Sequence, residues 1–233
     1  MDFLTNRYFL LALTFGCFLG AQRIQRWAGG TPLLNPIMLA IAAIISWLVL
    51  TGTPHSAYTP AGDYIDFWLK PAVVALGVPL SRQLAVIRRQ MIPLLVAETV
   101  GCIVGIVSVV LLAEMFGASK EVVMSLVPKS VTTPIAIEVA QSLDGIPALT
   151  AAVVVATGIF GSMAGFKMMS LSRVKSPIAQ GISMGTAAHA VGTSAAHERS
   201  PRYGAFSSLG LILNGLLTAI LAPFILAAMG YAV

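Results

Sequence analysis

MSLVPKSVTTPIAIEVAQSL, residues 124–143, places Pro128 and Pro134, Lys129, Glu138 and a run of hydroxyls inside an otherwise apolar chain. In lipid a backbone interrupted by proline leaves amide and carbonyl groups without partners. That is tolerated only where protein or a water-lined cavity supplies them. A broken, polar stretch at membrane depth is therefore a candidate site.

The surrounding composition makes the membrane reading firm. Of 233 residues, 57% are hydrophobic and 10% charged, against roughly a quarter charged in average soluble domains. At about 20 residues per crossing, such a chain forms one polytopic domain, with no room for a soluble one. The net charge of +5 comes from basic residues scattered in small groups between apolar runs. These read as topology signals rather than a nucleic-acid surface. Cys17 and Cys102 lie within apolar runs and read as packing residues, not as a disulfide or metal pair. The first residues lack a basic region ahead of their apolar part, so a retained first helix is expected, not a signal peptide.

Six apolar segments are expected: Tyr8 to Trp27, Leu33 to Leu50 after Pro32, Tyr64 to about Ile87, Met91 to Met115, Ile146 to Phe166, and Gly204 to Met229. Residues 51–63, rich in Gly and Pro, read as an external loop or short interfacial stretch carrying a solvated His55. The third segment is interrupted by Pro71, Gly77 and Pro79 and has Lys70 near one end. Two polar stretches, 119–144 and 176–198, fall between the later segments. If each enters and leaves on one side as a re-entrant hairpin, ten of the fourteen basic residues face the cytoplasm, the arrangement the positive-inside rule favours. Both termini and residue 144 then lie outside, and residue 173 lies inside. The expected fold is thus all-α, with about six transmembrane helices plus two oppositely oriented hairpins. Gly101-x-x-x-Gly105 and Gly161-x-x-x-Gly165 fit an inverted repeat of helix and hairpin. Residues 1–90 would serve as scaffold and 91–233 as the transport part, and a homodimer is expected.

The first tip offers Lys129, Ser130, Thr132, Thr133 and Pro134, and a half-helix N-terminus after the bend attracts an anion. The second tip offers Thr186, His189, Thr193 and Ser194, with Gly185 and Gly192 permitting the turn. Glu98, Glu138 and His189 are the proton-coupling candidates, since ionisable groups within membrane segments are costly and usually paired or functional. His189 and His197 would share one face of a continuous helix, but no third ligand is spaced to make a metal site. His197, Glu198 and Arg199 read as an interfacial charge cluster. No cofactor is expected.

Several of these stretches resemble the LrgB/CidB family of bacterial membrane proteins. They are PKSVTTPIA at Pro128–Ala136, GIPAL at Gly145–Leu149, GTAAHAVGT at Gly185–Thr193, GAFSSL at Gly204–Leu209, PLLNP at Pro32–Pro36, and KPAVVALGVPL near the third segment. The resemblance implies a multi-pass inner-membrane protein, often encoded beside a small LrgA/CidA-type membrane partner. The family was named for effects on murein hydrolase export and lysis, in a holin and antiholin scheme. A plastid relative carries glycolate and glycerate, and some bacterial members are linked to pyruvate uptake. One departure stands out: where many members have a pattern like GTARA, this chain runs Gly192-Thr193-Ser194-Ala195-Ala196, with an arginine only at Arg199.

Two functions follow as expectations. The first is a secondary carrier of small monocarboxylates (glycolate, glycerate, lactate or pyruvate type), coupled to protons and working by alternating access at the two tips. The alternative is a holin-like or antiholin-like protein acting with an LrgA/CidA-type partner. An intramembrane hydrolase built on a serine and His189 lacks any recognisable nucleophile motif, so no enzymatic activity is expected.

Overall fold

The computed structural model describes residues 5–29, 31, 34–75, 78, 81 and 84–232, and among them every regular element is helical. Pro32, Leu33, Gly77, Pro79 and Arg82, singled out in the sequence, lie outside the described residues, as does the side chain of Lys70. The chain separates into two compact units, Met1–Leu76 and Gly77–Val233.

The first unit holds α1 (Arg7–Trp27), α2 (Pro36–Thr51) and α3 (His55–Ala75). Asn6 caps α1 by accepting from the Tyr8 amide at 2.9 Å. Asn35 caps α2 by accepting from the Ile37 and Met38 amides. That cap, with Pro36 in the first turn, starts α2 at Pro36 rather than just after Pro32. The expected loop over 51–63 is overturned further: α3 begins at His55 and runs through Pro60 and Pro71. Tertiary contact outweighs the local breakers. The Tyr58 hydroxyl bonds Thr14 of α1 at 2.8 Å, and Ala61 is buried. His55 remains exposed, at the first turn of a helix.

The second unit holds α4 (Leu84–Arg89), α5 (Met91–Met115), α6 (Lys120–Leu126), α7 (Thr133–Ser142), α8 (Pro147–Leu171), α9 (Pro177–Arg199) and α10 (Pro201–Ala228). Of the described helices, α5, α8 and α10 are long and apolar enough to cross a membrane. α5 and α10 run the same way: Gly210 lies against Glu98, Thr218 against Cys102, and Tyr231 donates to Glu114 at 2.6 Å. Between them sits the largest apolar cluster, built from one face of α5, the inner sides of α6 and α7, and Ala222 and Leu226 of α10.

The polar stretch over 120–142 is two short helices joined by a turn. Its open end lies where α10 finishes, with Lys120 Nζ on the Ala232 carbonyl at 2.8 Å. Ser125 of α6 binds the start of α8, accepting from the Ile146 amide at 2.7 Å. The Thr150 hydroxyl donates to the Ser125 carbonyl at 3.0 Å. From that end the turn reaches inward to Val131, which packs with Ala136 and Val154.

α9 is not one helix. Ala188 (φ −128°, ψ 17°) and His189 (φ 41°, ψ −137°) leave helical space. Before the break, Gly181 lies against Tyr203 and Phe206, and Gly185 against Ser207 and Leu211. After it, Thr193 bonds Ser207 at 2.9 Å and His197 bonds Ser208 at 3.2 Å. The two arms therefore follow the same stretch of α10 in opposite senses. His189 and His197 do not share a continuous helical face, because the chain reverses at His189 itself. Gly185 and Gly192 do not make that turn either. They lie inside the arms, where a Cβ would strike the backbone of Ser207 or of Met184.

Candidate functional site

The two broken elements approach from opposite ends of α10 and meet at its middle. There the Asn214 amide donates to the Ser130 carbonyl at 3.2 Å and to the Thr186 carbonyl at 3.0 Å. One side chain thus satisfies a carbonyl in each break, as a membrane interior requires of interrupted backbone. α8 supplies a second meeting point: Val154 packs against the first turn, and its carbonyl lies 2.7 Å from His189 Nε2.

Beside Asn214 opens a cavity of about 320 Å³. α5 contributes Ala97, Gly101, Cys102, Gly105 and Ile106. The first turn contributes Val127, Lys129 and Ser130, the first arm of α9 contributes Ile182, Ser183, Thr186 and Ala187, and α10 contributes Asn214 and Thr218. Small residues on α5 leave the room, and hydroxyls, an amide and one ammonium supply the polarity. Lys129 Nζ donates to Ser130 Oγ at 3.1 Å, which holds the ammonium at the turn. Glu98, fully buried on α5, lies behind the wall with Oε1 2.6 Å from Thr186 Oγ1 and with Oε2 unpartnered among the described residues. An ammonium facing several hydroxyls can hold a small anion and orient it by short hydrogen bonds.

The structure thus brings together Lys129, Ser130 and Thr186 from the expected site, with Glu98 one hydrogen bond away. Thr132, Thr133 and Pro134 do not line the cavity: Thr132 and Thr133 start α7, and Pro134 is exposed. His189 is buried against the Val154 carbonyl, Thr193 is buried against Ser207, and Ser194 is exposed. Glu138 is exposed on α7, not directed inward, because Ala136, Val139 and Ala140 form that helix's buried side. Arg199 does not line the cavity. It stacks over Phe166 and Tyr203, 4.5 and 5.4 Å from the ring centroids, and is exposed. Asn214 is the residue that sequence reasoning passed over. Its signal was a lone amide in the middle of an apolar 28-residue helix.

The two GxxxG spacings serve different ends. In α8, Gly161 and Gly165 admit the first arm of α9 at Ala188 and Met184. In α5, Gly101 faces Thr186 and Gly105 faces open space, so that pair makes the cavity wall thin.

Long apolar helices, interrupted polar elements and a cavity where the interruptions meet define a helical membrane protein. The chain belongs to the LrgB-like family, whose model matches residues 14–228. It is 34% identical to YwbG of Bacillus subtilis, over 94% of this chain and 97% of that one. It is 32% identical to the "Holin-like protein CidB" of Staphylococcus aureus and 33% to that of Staphylococcus epidermidis, each over 93% of this chain and 94% of the relative. No solved structure matches the chain.

Proposed function

We propose that the cavity takes a small monocarboxylate of the glycolate, glycerate, lactate or pyruvate type, and that the protein carries it across the bacterial inner membrane chemically unchanged. The observation that carries this reading is the placement of Lys129 beside Ser130, Thr186 and Asn214 at the meeting of the two breaks. Carriers place substrate where interrupted helices meet near the midplane, and a volume of about 320 Å³ sits at the small end of ligand pockets, about 300–1,000 Å³. In this reading 119–144 and 176–198 are re-entrant hairpins from opposite faces, six helices span, and both termini face outward. Alternating access then moves the second unit's cavity against a scaffold, which favours a homodimer.

A second reading rests on a different observation, the name of the staphylococcal relatives. They are called holin-like and align over nearly their whole length, and that name supports a holin-like role more directly than it supports transport. In this reading the chain works with a small LrgA/CidA-type membrane partner to modulate murein hydrolase export and lysis.

Counterflow of labelled glycolate and pyruvate into proteoliposomes, run beside release of an entrapped dye, separates the two. Saturable exchange without dye release is the carrier's outcome. Dye release without saturable exchange overturns it in favour of the holin-like reading.

A further inference from the structure

Glu98 sits at the most demanding point of the second unit. Its carboxyl is fully buried within α5, Oε2 has no hydrogen-bond partner among the described residues, and Oε1 lies 2.6 Å from Thr186 Oγ1. That same hydroxyl lies 2.8 Å from the Ile182 carbonyl. A threonine hydroxyl owns one proton, so two such short contacts to oxygen are fully satisfied only if a second proton is present. The carbonyl cannot supply it, which leaves the carboxyl group. With Glu98 protonated, its O–H donates to Thr186 Oγ1 and Thr186 donates to Ile182. With Glu98 ionised, the buried carboxylate would receive at most one hydrogen bond, a costly state for a buried charge.

Among the described residues no charged group bonds Glu98. α9 presents Thr186, and α10 presents Gly210 and, further along, Asn214. On its own helix Cys102 is bound to Thr218 at 3.4 Å. Lys129, on the turn after α6, lines the same cavity as Thr186, and its one hydrogen bond among the described residues goes to Ser130. Lys129 and Cys102 are the titratable side chains among the residues lining the cavity.

We infer that Glu98 carries the proton that accompanies a monoanion through this cavity, with Thr186 as the hydroxyl shared by the proton site and the ligand site. The inference rests on the carrier reading. Loaded, the site holds the Lys129 ammonium, the neutral Glu98 acid and one carboxylate ligand, with charges summing to zero. Unloaded, Glu98 ionises: its O–H bond breaks, the proton leaves to water as the anion leaves, and Thr186 turns its hydrogen from the Ile182 carbonyl to Oε1. Lys129 and Glu98 then cancel. Both forms cross between orientations without net charge, which removes the penalty of moving an unbalanced ion through a low-dielectric interior. A dianion would leave the loaded site with an uncompensated charge, so selectivity for monoanions follows from the same arithmetic.

The test uses proteoliposomes of wild type, Glu98→Gln and Thr186→Val with labelled glycolate, under an inward proton gradient and in gradient-free exchange. Wild type should accumulate glycolate and lose the accumulation with a protonophore. Glu98→Gln, permanently neutral, should lose accumulation by about tenfold or more while keeping exchange, and its exchange should become insensitive to pH. Thr186→Val should weaken both. Accumulation and pH profile unchanged in Glu98→Gln overturn the inference but leave the carrier reading intact, whereas absence of both accumulation and exchange in wild type overturns the two together. Infrared difference spectroscopy of wild type against Glu98→Gln, both with saturating glycolate, supplies an independent readout: a protonated-carboxyl stretch at neutral pH that the variant lacks is expected. No such difference overturns the protonated state, whatever the transport result.

Discussion

Asn214 Nδ2 reaches the Thr186 carbonyl at 3.0 Å from the middle of α10. The carbonyl belongs to the last helical turn before the break at Ala188 and His189, where helical carbonyls lose their intrahelical partners. The same amide reaches Ser130 in the other break, so one residue couples two elements 56 positions apart in sequence.

Asn214→Ala should therefore cost stability as well as function. Both carbonyls are half-buried, and leaving one unsatisfied costs up to about 1–3 kcal/mol, so unfolding in detergent should move to lower temperature or denaturant. Asn214→Asp keeps the shape but loses the donors and should be no better. An unaltered unfolding transition in both variants would mean that the two carbonyls find other partners.

Glycines of α8 and of α5 should respond in opposite ways. A Cβ at Gly161 meets the Cβ of Ala188, and one at Gly158 meets the His189 ring. Gly161→Ala and Gly158→Ala should lower stability by about 1–3 kcal/mol through overpacking. Gly105→Ala meets nothing within 4 Å and should leave stability unchanged while narrowing the cavity and slowing uptake. Unfolding curves measured beside glycolate exchange check the contrast.

Most of the helix inventory was legible because it follows from composition. The expected segment over Met91–Met115 matches α5 end for end, and both polar stretches are broken, the second at Ala188 and His189 rather than at its glycines. The turn at His189 was not legible. A histidine in left-handed space is held there by its bond to Val154, 35 positions away, and by the packing of both arms on α10. The helix over residues 55–63 was hidden for a similar reason, since the Tyr58–Thr14 bond belongs to tertiary structure. Within the site, residue types pointed to the tips, but not to which side of each tip faces the cavity. Thr132 and Thr133 fall one turn beyond Lys129 and Ser130, and only the path of the backbone separates them.

Lys129 is the cation of the cavity. Lys129→Gln, which keeps length and polarity without charge, should weaken half-saturation for glycolate by about tenfold or more, as expected on losing a charge-assisted contact of roughly 1.5–3 kcal/mol. Lys129→Arg should recover part of it, since the charge returns in a bulkier, planar form. Arg199→Gln, which removes only the stack on Phe166 and Tyr203, should leave half-saturation unchanged. The reverse ordering of these two sites would move the anion's counter-charge to the base of α9.

Sidedness can be read at the two ends of α8, whose 25 residues span about 37 Å at 1.5 Å per residue, more than a hydrocarbon core of roughly 30 Å. Asp144 and Arg173 flank it, but both hold positive φ, at 60° and 58°, and a cysteine there would be strained. The exposed neighbours Ser142 and Lys175 are better probes. In a background with Cys17 and Cys102 replaced by alanine, Ser142→Cys should react with an impermeant maleimide in intact cells. Lys175→Cys should react only after the membrane is opened. That result places the open end of the first broken element outside and that of the second inside, as two hairpins entering from opposite faces require. Equal labelling of both in intact cells would mean that α8 does not cross, and labelling of Lys175→Cys alone would invert the orientation and with it the charge argument.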